Sequence, residues 1–344
     1  MNHNEPYDDL HDAYEDEYEH YEAQFNLGRA DRRARRKQKQ PGKPRSRPVA
    51  PQAVAEIAEA AGLEGGFDPT YTPSRYERGW LLGSLEPLYD QQLITDVLAL
   101  IKGGKEASVY RCAAGPVTGE TWLAAKVYRP RMFRQLRNDK MYREGRAILT
   151  ADGRPVKKTD HRLMRAIGKK TAFGAEVTHT SWLMYEATTL QALHAAGAAV
   201  PRLFGSGGNT ILMSYVGDER MAAPALAEIR LERDEARRLF DEVVRNIELM
   251  LQRGLIHGDL SAYNILYWDG AITLIDFPQV TDARTNPHAR AIFERDVQRV
   301  CEYFARCGVD RDAGALAASL WERFWRVNLD DLLADLSRLD ESEE

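Results

Sequence analysis

The chain has little of what builds secreted or membrane-spanning proteins. Its 344 residues hold three cysteines, Cys112, Cys301 and Cys307, too few and too irregularly spaced for a disulfide framework or a zinc site. No run of 18 apolar residues occurs, so no transmembrane helix and no membrane partner are expected. The N-terminal stretch is acidic and polar and lacks the apolar segment of a secretory signal. These absences lead to the expectation of a reduced, cytoplasmic setting. Internal repeats and a Walker-type phosphate loop are also missing.

The charge that is present is sharply segregated. The net charge of -5 hides nine acidic and no Lys or Arg side chains over residues 1–28, then ten basic and one acidic over 29–47. A second basic stretch, 129–178, carries fourteen basic and five acidic side chains. Residues 1–50 have so few aliphatic groups that they are expected to be disordered. The basic block at 29–47 reads either as a grip on nucleic-acid phosphates or as a solvated tail, and the insert at 129–178 either as a dock for RNA or an acidic partner or as a solvated, mobile loop.

The remainder reads as an α+β protein of two lobes. A short helix (about 52–61) and a Gly/Pro-rich linker fill 51–86. Apolar residues at helical spacing (Leu93, Ile94, Val97, Leu98, Ile101) predict a helix over about 88–101. Strands follow at 107–112 and 121–128 as a hairpin, then the basic insert, a helix over about 179–197, and strands near 202–206 and 210–216. These make an N-terminal lobe over 87–215. The lobe over 216–344 opens with a helix at about 232–253. A hairpin at 263–268 and 271–276 turns on Asp269-Gly270. Helices are predicted over about 288–307, 312–326 and 328–339.

The chemistry concentrates in His257-Gly258-Asp259-Leu260-Ser261-Ala262-Tyr263-Asn264, followed twelve residues past that Asn by Asp276 in Ile275-Asp276-Phe277. An Asp, an Asn and a second Asp in this order and spacing are what kinase-like phosphotransferases use around ATP. Asp259 takes the position of catalytic base. Asn264 and Asp276 bring hard oxygen ligands that suit Mg²⁺, with Mn²⁺ as a substitute. Ser261 is a candidate for loop shaping or phosphate contact, and His257 for bracing the loop. Upstream, Gly103-Gly104-Lys105-Glu106-Ala107-Ser108-Val109 forms a turn whose glycines let backbone approach phosphate oxygens. Lys126, set among apolar residues in a strand, needs an anionic partner; nucleotide phosphates and a helix glutamate would supply it. Glu186 shares a helix face with Trp182 and Leu190 and is the expected partner, with Glu176 as competitor. Tyr215-Val216-Gly217 is placed to present backbone N–H and C=O groups to adenine, with Met213 lining the back of that pocket.

Taken together, these residues resemble the RIO family of atypical serine protein kinases over about residues 90–307. The resemblance rests on Gly104-Lys105-Glu106-Ala107 with Val109-Tyr110, on Lys126, and on Trp182 with Glu186. The loop at 257–264, Ile275-Asp276-Phe277-Pro278-Gln279, Pro287-His288-Ala289, and Phe293-x-Arg295-Asp296-Val297 complete it. It implies a trimmed kinase fold without the usual activation segment or peptide-binding helices. It also implies ATP- and metal-dependent phosphorylation of serine, including autophosphorylation. Eukaryotic and archaeal members act in small-ribosomal-subunit maturation, some as ATPase switches. Lys102-Gly103 departs from the residues that often precede Gly-Lys-Glu in the family, and the mixture of subfamily features suggests a bacterial-type member. Two other readings stay open. One is a small-molecule phosphotransferase of the aminoglycoside-kinase type, which shares His-Gly-Asp-x-x-x-x-Asn and Ile-Asp-Phe. The other is an RNA- or ribosome-binding scaffold that uses ATP as a clamp.

Overall fold

The computed structural model describes residues 67, 69–73, 75–104, 106–129, 142, 144, 146–157, 160–169 and 171–325. The tail at 1–50, the helices expected over 52–61 and 328–339, and Lys105 lie outside them. Helix α1 (Arg75–Asp90) leads into strands β1 (Ile94–Gly103), β2 (Ala107–Ala114) and β3 (Trp122–Tyr128). Helices α2 (His161–Gly168) and α3 (Ala172–Ala195) follow, then β4 (Leu203–Gly207) and β5 (Thr210–Ser214). The five strands form one antiparallel sheet in the order β1-β2-β3-β5-β4, so β3 is central.

The second lobe begins with α4 (Arg233–Gln252). Its strands are short: β6 (Leu255–Ile256) pairs with β9 (Thr281–Asp282), and β7 (Ile265–Trp268) with β8 (Ala271–Leu274). Helix α5 (Ala289–Arg306) and a last helix over 313–325, α6, complete it. The α+β, two-lobe plan is the expected one. No described helix is long and apolar enough to cross a membrane.

One expected element is wrong. Residues 94–101, read as helical, belong to strand β1, and the helix before it is α1, which crosses the 86/87 boundary drawn between linker and lobe. The cause is local. The β1–β2 register slips between Ile94 and Asp96, between Val97 and Ala99, and between Leu100 and Lys102. Each irregularity inserts a residue and breaks the two-residue alternation. Ile94 and Val97, both buried, therefore sit three apart and mimic a helix face.

The pleat of the sheet sorts its side chains. On one face Tyr110, Cys112, Leu123, Ala125, Val127 and Leu212 pack against Leu81, Leu82, Leu85 and Leu88 of α1. Full burial of each such leucine contributes about 1.5–3 kcal/mol. On the other face Ala124, Tyr128, Ile211 and Met213 join a larger core that runs through α3, α4 and α5. Lys126 shares this second face, because it alternates with Ala125 and Val127 along β3. The pleat, rather than any local preference of lysine, turns its ammonium toward the second lobe.

The insert is shorter than expected, since residues 172–178 are the first two turns of α3. Its described part is not merely a solvated loop. Tyr142 and Leu149 are buried in the larger core, and Leu149 bridges Pro155 across a turn. Asp160 caps α2 by accepting from Leu163 N–H, and Thr171 caps α3 by accepting from Gly174 N–H.

Candidate active site

Three distant stretches meet at Lys126. Its Nζ lies 2.8 Å from Oε1 of Glu186 and 2.5 Å from Oδ1 of Asp276. The Glu186 side chain is 2% exposed, whereas that of Asp276 is 42% exposed. Glu186 is thus enclosed: it also accepts from the Tyr128 hydroxyl and from Phe277 N–H. It orients Lys126 and is a positioning residue. Asp276 is accessible and can meet a ligand. Burial works against the charge on Lys126, but Asp276 and Glu186 outweigh it and hold the ammonium well above its ordinary value. Burial likewise opposes the charge on Asp276, and Lys126 more than offsets it, so that carboxyl stays below its ordinary range.

Asp276 also has an uncommon backbone, with φ of 70°. Such a conformation costs on the order of 1–3 kcal/mol for a residue other than glycine. It follows the end of hairpin β7–β8, where Ile275 N–H donates to Asn264 C=O. The hairpin thereby holds Asn264 and Asp276 at the same mouth. Its turn is the expected Asp269-Gly270, both residues at positive φ.

The loop at 257–264 is built around buried polar contacts. His257 is 1% exposed. Its Nδ1 accepts from Asp259 N–H, which makes Nε2 the donor to Ile275 C=O at 3.1 Å. Both ring nitrogens are engaged, in keeping with the bracing role read from the sequence. Gly258 has φ of 87°, and a Cβ there would lie 2.3 Å from the Gln279 carbonyl oxygen, so only glycine fits. Asn264 Nδ2 donates to Asp259 C=O at 2.8 Å and to Asp259 Oδ2 at 3.2 Å.

The glycine turn closes through Gly104 N–H to Ala107 C=O at 2.9 Å. A Cβ on Gly104 would sit 2.9 Å from that same oxygen. Gly103 ends β1 opposite Ser108, and Val109 lies directly across from Lys126. Ala107 and Val109 share the Lys126 face and are half-buried, while Ser108 is buried on the α1 side of β2. Ser108 therefore shapes the turn from behind. Glu106 C=O accepts from Arg129 N–H. Met213 is buried opposite Ala124 on the same face. The Tyr215 ring meets Trp122 edge-on, and its hydroxyl donates to Asp218 C=O, so its side chain shapes the following turn.

The sequence reading missed two residues that hold this site. Tyr128 grips Glu186 and packs edge-on against Trp182. Arg299 of α5 donates to Asp259 Oδ1 at 2.7 Å. Asp296, met only as part of a motif, accepts from Gly258 N–H at 2.8 Å, and Arg295 donates to Gly258 C=O. The available signal was charged residues at 295, 296 and 299 within the apolar stripe Ile292, Phe293, Val297 and Val300. The partners of Lys126 are Glu186 and Asp276; Glu176 lies in α3.

The donor set fits a magnesium-bound nucleoside triphosphate. Asp276 and Asn264 offer one carboxylate and one amide oxygen, which is the hard, sparse coordination that magnesium shares with phosphate and water. Among the described residues no cluster of three or more His, Cys, Asp or Glu could hold a metal ion, and such a cation needs none. The Ser261 hydroxyl is buried with no partner among the described residues, a polar atom suited to a ligand or water. The turn at Gly104 has room for backbone alone.

A central-strand lysine paired with a helix glutamate and with Asp276, together with Asp259 bonded to Asn264, defines a protein-kinase-like fold and site. A family model, the RIO domain, matches residues 109–315. The chain belongs to the RIO family. It is similar to the RIO-type serine/threonine-protein kinase Rio1 of Haloferax volcanii, 31% identical over 217 residues, 63% of this chain and 66% of that one. The serine/threonine-protein kinase RIO1 of Chaetomium thermophilum is 29% identical over 276 residues, 75% of this chain and 50% of its own. Its Homo sapiens counterpart is 28% identical over 222 residues, 63% and 34% respectively. The chain therefore spans between a third and two-thirds of the length of these relatives.

Proposed function

We propose that this protein is an ATP- and Mg²⁺-dependent serine protein kinase that also phosphorylates itself. The observation that carries the reading is the convergence of Glu186 and Asp276 on the buried ammonium of Lys126. Bound ATP supplies the phosphoryl group, and its metal ions neutralise charge as that group moves. The protein's part is positioning. Lys126, oriented by Glu186, holds phosphate oxygens. Asn264 and Asp276 hold the metal ions. Asp259 receives or orients the proton of the attacking hydroxyl, in a loop braced by His257 and Asp296. Backbone of the turn at 103–109 covers the phosphates, Met213 backs the base pocket, and Ser261 meets phosphate or water.

The names of the relatives support the kinase reading over an aminoglycoside-type phosphotransferase. A role as an ATP-clamped, RNA- or ribosome-bound switch rests on the basic stretches at 29–47 and 129–178. The test is incubation of the full chain with γ-labelled ATP, Mg²⁺ and a serine-containing acceptor protein. Label on serine, lost in Asp259→Asn while Mg²⁺–nucleotide binding persists, is the expected result. Undiminished transfer by Asp259→Asn would overturn the assignment.

A further inference from the structure

Helix α5 meets the catalytic loop at three points within one turn. Arg295 holds Gly258 C=O and Asp296 holds Gly258 N–H. These two fix backbone. Arg299 reaches one residue further and holds the carboxylate of Asp259 itself, Nη1 to Oδ1 at 2.7 Å. Both side chains are enclosed, Arg299 at 3% and Asp259 at 12% exposure. Solvent screening is therefore weak, and a buried guanidinium demands a matched anion. On the other side, Asn264 Nδ2 approaches Oδ2 at 3.2 Å. The two oxygens are thus held by different elements: one by a helix forty residues away, one by the loop.

We infer that Arg299 is a positioning residue for Asp259, fixing the carboxylate through Oδ1 in the orientation from which it meets the acceptor hydroxyl. This rests on the reading of Asp259 as the catalytic base. In the step it serves, the acceptor O–H bond breaks toward the Asp259 carboxylate as the acceptor oxygen bonds to the γ-phosphorus. The bond from that phosphorus to its bridging oxygen breaks, and its electron pair leaves with ADP. Arg299 touches none of these atoms. Its contribution is the orientation of one carboxylate, and a misplacement of about 1 Å is enough to cost on the order of 10²-fold in rate.

The test is a double-mutant cycle in the full chain with Arg299→Met, Asp259→Asn and both together, and with Arg299→Lys as the charge-keeping variant. Kinetics with ATP and an acceptor protein are read beside urea unfolding. Arg299→Met is expected to lower kcat about ten- to hundredfold while KM for ATP moves less than about threefold. Arg299→Lys is expected to recover most of the rate. In unfolding, the two single substitutions should couple, the double variant being more stable than their sum, because no lone buried charge remains. Wild-type kcat in Arg299→Met would overturn the inference, as would equal rate losses with Lys and Met or strictly additive unfolding. If methionine at this position prevents folding, Arg299→Gln takes its place with the same expected outcomes. Absence of transfer by the unsubstituted chain would instead overturn the kinase reading. The unfolding cycle does not depend on turnover, so it still reports whether Arg299 grips Asp259.

Discussion

The catalytic loop at 257–264 is held by side chains from several elements, whereas the described residues of the glycine turn at 103–109 are held by backbone, through Gly104 N–H on Ala107 C=O and the pairing of Gly103 with Ser108. The first is fixed by His257 on Ile275, by Asp296 and Arg295 on Gly258, by Arg299 on Asp259 and by Asn264 within the loop. The second has Gly104 on Ala107, with Arg129 on Glu106 at its edge. The end of the site that performs chemistry is therefore arranged by the protein. On the proposed reading, the end that receives phosphates relies on backbone of the turn rather than on side chains from other elements. Substitutions in the catalytic loop should act on kcat, and those in the turn on KM for ATP.

The largest effect belongs to Asp259→Asn, expected to lower kcat by about 10²–10⁴ with nucleotide affinity nearly unchanged. Calorimetry beside a transfer assay separates the two, and a large loss of affinity would mean that the loop and the turn are not independent. Lys126→Met comes next. It leaves Glu186 buried without its cation, which should cost about 3–5 kcal/mol of stability as well as transfer. An unchanged urea midpoint would show that the pair does not form in solution.

Asp296→Ala strips the acceptor from buried Gly258 N–H. A loss of about 1–3 kcal/mol is expected for the orphaned donor, with lower kcat and a steady KM for ATP. Gly104→Ala reverses this pattern. Its Cβ would crowd the Ala107 carbonyl oxygen at 2.9 Å, and a strain of about 1 kcal/mol corresponds to a roughly fivefold weaker ATP interaction. If kcat falls and KM holds, the contrast between the loops is broken.

The smallest effect is the pH dependence of stability. The Asp276 carboxyl lies below its ordinary 3.8 in the folded protein. Its contribution is therefore present above about pH 4 and lost as pH falls through the lower native value. Lys126 lies above its ordinary 10.5, so its contribution is complete below that pH and lost only beyond the higher native value. Chemical unfolding at pH 3 and 7 should differ less in Asp276→Asn than in the unsubstituted chain.

How much of this was legible in the sequence follows from how each part is made. Asp259, Asn264, Asp276 and Lys126 stand out in the sequence because they fall at short, fixed spacings within loops and one strand, and the structure brings Lys126 onto Asp276 and Asn264 onto Asp259. Glu186 could be read because helix geometry puts it beside Trp182 and Leu190, all three buried. Strand β1 was misread because its irregular pairing imitates helical spacing. Arg299 and Tyr128 were not found because their partners lie 40 and 58 residues away. Nothing local distinguishes a buried arginine on α5 from an exposed one until the apolar stripe around it is seen to be the core.

Calorimetric titration of the full chain with ATP, with and without Mg²⁺, in parallel with Asp276→Asn, probes the convergence at Lys126 most directly. Binding should require magnesium in the unsubstituted chain, and the substitution should abolish that requirement together with most of the affinity. Equal binding with and without the metal, or an affinity untouched by Asp276→Asn, would contradict the assignment of this cluster as a metal–nucleotide site.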